Sequence, residues 1–368
     1  MVDLTTQYHW LKPAIDRAVE KVFCHGRYIN GPEVETFSRA LSGYLEGVHV
    51  IPCGNGTDAL QAALMAIDPA PGDEVIMPAF SFVSPLEVVV LLGLKPVLVD
   101  VDPQTYNIDP HRIKKAITDR TRAIIPVHMF GQSAPMEEIM AVAREAGLWV
   151  IEDGAQSMGG RCLVGGEYQK LGTIGHIGCT SFFPSKNLGC FGDGGACFTK
   201  DVLLAGRLRM IMNHGARKKY FNERTGMNSR LDTIQAAILN EKLKHLEDFI
   251  ERRQKSAEIY YQQLENASFL QLPGKSSCGE HTFNVFTVRV KNGRREHLKQ
   301  YLEKEGIPSM IYYPWPLHKL PVFEKYDQTG VSLPVSEMLC EEVLSLPVHT
   351  ELVTEEIMYI TEKISNFS

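Results

Sequence analysis

The chain has 368 residues, with 38 Lys+Arg against 44 Asp+Glu and 44% apolar residues. This length predicts one large domain or two, and the net charge of −6 excludes a general attraction to nucleic acid. No window approaches the roughly 18 uninterrupted apolar residues of a membrane span, and the first residues lack the apolar stretch of a secretion signal. The eight cysteines form no C-x-x-C pair. We therefore predict a cytoplasmic protein with reduced thiols and no metal, membrane or nucleic-acid partner.

The first two thirds of the chain alternate between strand and helix patterns. Apolar residues recur at helical spacing in 11–23 and 34–45, and a polar, glycine-bracketed loop that contains Tyr28 lies between them. Further on, the predicted strands are 74–77, 96–101, 123–128, 149–153 and 179–183, and the predicted helices are 57–67, 85–92, 111–118 and 136–146. Alternation of this kind predicts an α/β fold with a mostly parallel sheet that helices cover on both faces.

The last third has a different pattern. A long amphipathic stretch occupies 232–266, and Pro273-Gly274 after it is typical of a hinge. A strand over 282–290, a helix over 295–306 and two later helices are predicted next. We therefore divide the chain into a large α/β domain over residues 1–240 and a smaller α+β domain over residues 241–368.

One glycine-containing segment predicts an anion site. Gly54-Asn55-Gly56-Thr57 stands directly before an apolar-periodic run, so its backbone N–H groups lie at the start of a helix. Ala59 replaces the third glycine of the dinucleotide-binding pattern, which argues against that class of site. Thr57 on its own is more typical of an ordinary helix cap than of an anion site.

Two further motifs add a carboxylate and an amine. Asp153 ends a predicted strand and Gln156 follows it, at the sheet edge where open α/β sheets bind ligands. Lys186 lies in the apolar stretch Phe182-Phe183-Pro184, where desolvation would lower its pKa and favour a free amine. A phosphate site, a strand-end Asp and such a Lys are what pyridoxal phosphate requires: the Lys forms a Schiff base and the Asp keeps the pyridine nitrogen protonated.

These motifs resemble, in order and spacing, those of the DegT/StrS-type nucleotide-sugar aminotransferases, which are pyridoxal-phosphate enzymes of fold type I with a seven-stranded, mostly parallel sheet. The resemblance also covers Gly31-Pro32-Glu33-Val34, Pro71-Gly72-Asp73-Glu74-Val75, Gly192-Asp193-Gly194-Gly195 and Asn228-Ser229-Arg230-Leu231. It implies that Lys186 carries the cofactor and moves the proton, and that Asp153 pairs with the ring nitrogen. The other cofactor contacts that it implies are Gly56, Thr57 and Ser181 for the phosphate, Phe82 stacked on the ring, Gln156 near the ring hydroxyl, and Asn228 on the phosphate in the neighbouring subunit of a homodimer.

Within this family the chain is most similar to the branch that aminates C3 of UDP-linked 3-keto-hexuronic acids with glutamate as donor and 2-oxoglutarate as product. In that branch the enzymes supply sugars for surface polysaccharide such as O-antigen. The resemblance implies that Arg230 binds the sugar carboxylate, which suits a bidentate guanidinium, and that Tyr28, Tyr313 and His318 lie on the substrate side.

Two alternatives remain open. The first is an enzyme acting on a different sugar, such as C4 of a dTDP-4-keto-6-deoxy sugar; a dehydratase of the same family is disfavoured because Lys186 is present where that branch has histidine. The second is a non-catalytic regulator that binds a ligand with the same fold. An intact set of Lys186, Asp153 and Gln156 argues for chemistry rather than regulation.

Overall fold

The computed structural model describes residues 1–326 and 332–367 of the chain. The strands, numbered in chain order, are β1 (His49–Cys53), β2 (Glu74–Pro78), β3 (Lys95–Val99), β4 (Thr121–Ile124), β5 (Trp149–Asp153), β6 (Arg161–Val164), β7 (Glu167–Lys170), β8 (Ile177–Ser181), β9 (Gly195–Thr199), β10 (Ala216–Lys218), β11 (Phe221–Asn222), β12 (Leu270–Gln271), β13 (Phe286–Val290) and β14 (Val343–Leu346). The α-helices are α1 (Leu4–His25), α2 (Pro32–Tyr44), α3 (Gly56–Ala66), α4 (Ser84–Leu91), α5 (Pro110–Ala116), α6 (Met136–Ala146), α7 (Val202–Ile211), α8 (Thr233–Leu243), α9 (Leu246–Leu264), α10 (Arg295–Lys304), α11 (Pro334–Glu342) and α12 (Thr354–Ser365).

A seven-stranded sheet organises the first part of the chain, in the order β1-β9-β8-β5-β4-β2-β3. Strand β9 runs antiparallel to both of its neighbours, β1 and β8, and the remaining pairs are parallel. The predicted α/β fold with a mostly parallel sheet is therefore confirmed.

Helices cover both faces of this sheet because its strands are apolar on both faces. In β2, Val75 and Met77 pack into the core beneath α3, α4 and α7, whereas Ile76 between them packs into the core beneath α5 and α6. Successive residues of a strand point to opposite faces. A fully buried strand therefore reads as a continuous apolar run, which is the pattern that the sequence shows here.

The last third of the chain builds a separate apolar core. Strands β12, β13 and β14 form an antiparallel sheet, and helices α9, α10 and α12 contribute residues to the same buried cluster as this sheet. The proposed domain boundary at residue 240 stays a prediction.

Several elements differ from those predicted. The amphipathic stretch 232–266 consists of two helices, α8 and α9, which meet at Lys244 and His245. Strand β4 ends at Ile124 rather than residue 128, and Pro126 two residues later has no N–H to donate to a ladder. Strand β9, the β6-β7 hairpin and β14 were not predicted, and β13 begins later than expected, at Phe286.

The described residues contain neither a membrane-spanning helix nor a metal-binding cluster. Within residues 1–326 and 332–367 no helix is both long and apolar enough to cross a membrane. In the same ranges no cluster of His, Cys, Asp and Glu side chains has the geometry to hold a metal ion.

Candidate active site

A cavity of about 690 Å³ opens where several strands of the central sheet end. Strand β5 contributes Asp153 and strand β8 contributes Ser181, each as its last residue, so the cavity lies at the sheet edge where open α/β folds bind ligands. Of the predicted site residues, the following line it: Gly56, Thr57, Phe82, Asp153, Gln156, Ser181, Lys186 and Tyr313.

Lys186 and Asp153 form the charged centre of this cavity. Burial lowers the pKa of the Lys186 amine, and the nearby Asp153 carboxylate opposes that shift without cancelling it. Burial raises the pKa of the Asp153 carboxyl group. Two weaker effects oppose this shift: the Ala155 N–H donates to Asp153 Oδ1 at 3.0 Å, and Lys186 carries a positive charge nearby. A lysine with a lowered pKa offers a neutral amine as nucleophile, and a desolvated carboxylate attracts a cationic ligand group.

The start of α3 forms the predicted anion cradle. Asn55, not Thr57, caps this helix, because its Oδ1 accepts from the Asp58 N–H at 2.8 Å. The Thr57 hydroxyl instead lies 2.8 Å from Ser84 Oγ. A Cβ on Gly56 would lie 2.9 Å from the Cβ of Ser181, so glycine is needed for this close approach. The first N–H groups of a helix have no acceptor within it and favour an anion.

Gln156 and two aromatic residues form another part of the wall. Oε1 of Gln156 accepts from the Phe130 N–H at 2.8 Å, and its Nε2 donates to the Tyr313 hydroxyl at 3.2 Å. Phe82 is 52% exposed although it lines a cavity, and its ring centroid lies 5.9 Å from that of Tyr313. The ring of Phe82 is therefore open to stacking against a planar ligand.

A buried pair behind Asp153 was not predicted as part of the site. His128 and Glu152 are both fully buried, with His128 Nε2 and Glu152 Oε2 3.0 Å apart. Glu152 also accepts from the N–H groups of Gly172, Ile174 and Gly175 at 2.6–2.8 Å. Although burial raises the pKa of Glu152, the hydrogen bonds and charge of His128 and these N–H groups outweigh it and lower the pKa overall.

We expect Glu152→Gln to destabilise the fold by about 3–5 kcal/mol, because it removes the charge of a buried hydrogen-bonded pair. A carboxylate whose pKa is lowered by folding stabilises the protein above its unfolded value of about 4.3, and this contribution disappears as the pH falls through the folded pKa. Denaturant unfolding should therefore show the whole difference in unfolding free energy between wild type and variant at pH 7. This difference should become smaller as the pH falls into the acid range.

Glu145→Gln is the matched control, since Glu145 pairs with Lys114 on the surface at 2.9 Å. An exposed pair of this kind contributes less than about 1 kcal/mol. Equal effects of the two substitutions at pH 7 would contradict the assignment of Glu152 as a buried stabilising group.

The remaining predicted residues do not line this cavity. Tyr28 and the segment with Asn228 and Arg230 are linked, because Ile29 forms a β-bridge with Asp232 and the Thr233 N–H donates to the Tyr28 carbonyl at 2.9 Å. Asn228 and Arg230 hydrogen-bond to each other through Oδ1 and Nη2. Between them, Ser229 accepts from the Gly54 N–H at 2.9 Å and donates to Asp58 at 2.6 Å, so this segment is fixed to the start of α3.

His318 also lies outside the cavity lining. Its Nε2 lies 3.0 Å from Glu337 Oε1, and Lys319 Nζ bonds the other oxygen of Glu337 at 2.6 Å. The described structure therefore gives His318 a partner within the fold.

Sequence reasoning missed several residues of the cavity wall. Ser81 lies beside Phe82, is 3% exposed, and its Oγ has no hydrogen-bond partner among the described residues. Tyr312 precedes Tyr313, so both lie within a motif that was already identified. Asn284 lies far from every recognised motif in the sequence, and no local pattern marks it.

The donor set fits a phosphorylated aromatic cofactor. It combines the Gly56 cradle, the Thr57 and Ser181 hydroxyls, an open aromatic face, a buried carboxylate and an amine with a lowered pKa. The fold and these residues together define an aminotransferase of the pyridoxal-phosphate-dependent, fold type I class.

Comparison with known proteins identifies the group within this class. The model of the DegT/DnrJ/EryC1/StrS aminotransferase family matches residues 10–365, and the chain belongs to this family. It is 43% identical to the UDP-2-acetamido-2-deoxy-3-oxo-D-glucuronate aminotransferase of Pseudomonas aeruginosa, over 99% of each chain. It is also 43% identical to a "pleiotropic regulatory protein" of Geobacillus stearothermophilus, over 100% of this chain and 98% of the relative.

Solved structures support the same assignment. A DegT/DnrJ/EryC1/StrS aminotransferase from Brucella abortus superposes with a TM-score of 0.94 at 43% identity, covering 100% of this chain and 98% of that one. The structure of NtdA from Bacillus subtilis, which contains the bound cofactor PMP, superposes with a TM-score of 0.88 at 33% identity, covering 96% of this chain and 81% of that one.

Proposed function

We propose that the protein transfers an amino group from glutamate to C3 of UDP-2-acetamido-2-deoxy-3-oxo-glucuronic acid. The observation that carries the proposal is the 43% identity to an aminotransferase named for that substrate, over 99% of both chains. The cavity supports it chemically, because Lys186 and Asp153 both line it, interact through their charges and have pKa values shifted by burial.

Pyridoxal phosphate, when bound, supplies a carbonyl that takes up the amino group and a ring that withdraws electrons from the reacting carbon. Lys186 Nζ would attach the cofactor and would remove and return the proton at the reacting carbon in each half-reaction. Asp153 would keep the ring nitrogen protonated, and the exposed ring of Phe82 would be the stacking partner. The start of α3, with Gly56, Thr57 and Ser181, would hold the phosphate.

The substrate carboxylate requires a cation, and Arg230 is the residue proposed for it, since a guanidinium binds a carboxylate through two hydrogen bonds. Tyr28, Asn228 and Arg230 lie on linked segments but outside the cavity lining of their own chain. We propose that they complete the cavity of a neighbouring subunit in a homodimer, with Asn228 on the cofactor phosphate.

Co-expression of two inactive chains tests this sharing. One chain carries Lys186→Ala and the other carries Asn228→Ala with Arg230→Ala, under different affinity tags. A mixed dimer has one site with all of these residues intact, so an equal mixture should recover roughly a quarter of wild-type activity, because about half of the dimers are mixed and each has one active site.

Placing all three substitutions on one chain provides the control. A mixed dimer of that chain with wild type has no intact site and should be inactive. If the co-expressed mixture were no more active than either chain alone, the proposal of shared active sites would be contradicted.

Tyr313 and His318 are proposed on the substrate side as well. Tyr313 lines the cavity, and its hydroxyl accepts from Gln156. His318 is paired with Glu337, so a role at the substrate requires that this pair open. In the cell we propose a cytoplasmic enzyme that supplies amino sugars for surface polysaccharide.

An absorbance scan of the purified protein with pyridoxal phosphate, followed by glutamate, tests the function directly. A visible absorbance band that disappears with glutamate, with release of 2-oxoglutarate, is expected. The 3-keto uronate should then restore the band, and a dTDP-4-keto-6-deoxy sugar should not. If only the dTDP sugar restored the absorbance band, the enzyme would be a C4 aminotransferase instead.

The identity to a "pleiotropic regulatory protein" favours a second candidate, a regulator that binds a nucleotide sugar without converting it. Failure to form the absorbance band, together with binding of the nucleotide sugar, would support the regulator.

A further inference from the structure

Asn284 lies in the cavity wall and is not used by any of the steps proposed above. It precedes β13, lines the cavity, and is 9% exposed. Its side-chain Oδ1 is buried and has no hydrogen-bond partner among the described residues. Buried polar atoms are almost always paired, so an exception in a ligand cavity calls for a functional explanation.

The backbone around Asn284 is held by hydrogen bonds with two other segments of the chain. Its carbonyl accepts from Nη1 of the buried Arg253 at 3.3 Å, and the same Nη1 donates to the Val348 carbonyl at 2.9 Å. The next residue, Val285, donates its N–H to the Phe130 carbonyl at 3.4 Å. The fold therefore fixes the position of Asn284 in the cavity wall, while its amide oxygen has no partner among the described residues.

The chemical type of the unpaired atom restricts which ligand group could bind to it. Oδ1 is an acceptor and needs a donor, whereas the carboxylates of glutamate are acceptors only. The single donor of glutamate, its amine, is the reacting group and belongs at Lys186. A nucleotide-linked amino-keto sugar, in contrast, offers ring hydroxyls and an acetamido N–H.

We propose that Asn284 is a specificity-determining residue that accepts a hydrogen bond from a hydroxyl or amide N–H of the keto-sugar ring. It acts in the sugar half-reaction and not in the glutamate half-reaction. The inference rests on the proposed function, since it assumes a sugar acceptor. Ser81 is a second buried group of the cavity without a partner in the described part of the chain, but it adjoins Phe82 in a different segment and is not part of this assignment.

Separate measurement of the two half-reactions tests the assignment. Asn284→Leu keeps the approximate volume and removes the acceptor, whereas Asn284→Asp keeps an acceptor oxygen at the same position. With Asn284→Leu, loss of the absorbance band with glutamate should proceed at the wild-type rate. Amination of the 3-keto uronate should lose roughly 10- to 100-fold in kcat/KM, as expected for a missing partner of a substrate N–H or O–H. Asn284→Asp should lose less than the leucine variant.

Asn366→Leu, at the exposed C-terminal end of α12, is the control of matched chemistry and should leave both half-reactions unchanged. Wild-type sugar kinetics in Asn284→Leu, or an equal loss in both half-reactions, would overturn the assignment of Asn284. Failure of the wild-type enzyme to aminate any sugar would instead overturn the proposed function, and the assignment of Asn284 with it.

Discussion

Replacing Lys186 with alanine is expected to reduce amino transfer by at least about 10⁴-fold, the upper range for loss of a general acid and base, because the same amine also attaches the cofactor. Its pKa is lowered by burial, so the wild-type amine is available as a nucleophile and proton acceptor closer to neutral pH than an ordinary lysine. The measurement is 2-oxoglutarate release with glutamate and the sugar acceptor, together with the visible absorbance of the purified protein.

Lys200→Ala is the matched control, since Lys200 is exposed and lies outside the cavity lining. It should retain wild-type absorbance and rate. If the Lys186 variant kept the absorbance band or turned over at more than a hundredth of the wild-type rate, another amine would have to carry the cofactor, and the site assigned to this cavity would be wrong.

Asp153→Asn is expected to lower kcat on the order of 10²–10³-fold, the usual range for removing one preorganised electrostatic partner. The carboxylate is buried, with a raised pKa, and a protonated ring nitrogen would relieve that cost by pairing with it. An asparagine of nearly the same shape keeps the packing but not the charge. The affinity for pyridoxal phosphate should fall as well, and titration of the cofactor into the apoprotein measures it.

Asp119→Asn provides the comparison, because Asp119 is exposed and remote from the cavity lining. It should change neither the rate nor the affinity for the cofactor. An Asp153→Asn variant with wild-type kcat would show that the ring does not rely on this carboxylate, even if its affinity for the cofactor were reduced.

The residues proposed for the cofactor could be named from the sequence because each lies inside a short local pattern. Gly56 and Thr57 precede an apolar helix, Asp153 ends an apolar strand, and Lys186 follows an aromatic run. The direction of the Lys186 pKa shift was also predictable, since it depends on the apolar character of its immediate neighbours.

Other features could not be predicted because they depend on contacts between distant parts of the chain. Strand β9 runs opposite to its neighbours β1 and β8, and it begins at Gly195, the last residue of a glycine-rich motif that is more typical of a loop. The sequence analysis considered Thr57 as the α3 cap, whereas the structure places Asn55 there, because the backbone leaves the helical conformation at Asn55 and its side chain accepts from the Asp58 N–H. Arg253, which holds Asn284 in place, lies in α9 and looks like an ordinary residue of an amphipathic helix.

The sequence by itself determined the α/β class, the family and the chemical identity of the groups proposed to bind the cofactor, since periodicity and short motifs are properties of neighbouring residues. The tertiary structure alone decided which of these residues share one cavity and which lie outside it: Lys186 and Asp153 line it, whereas Arg230 and His318 do not. It also decided that Asn284 lies in the cavity wall with an oxygen that no residue of 1–326 or 332–367 pairs. The physical reason is that burial and hydrogen-bond pairing depend on which distant segments pack together, and a single stretch of sequence does not record that.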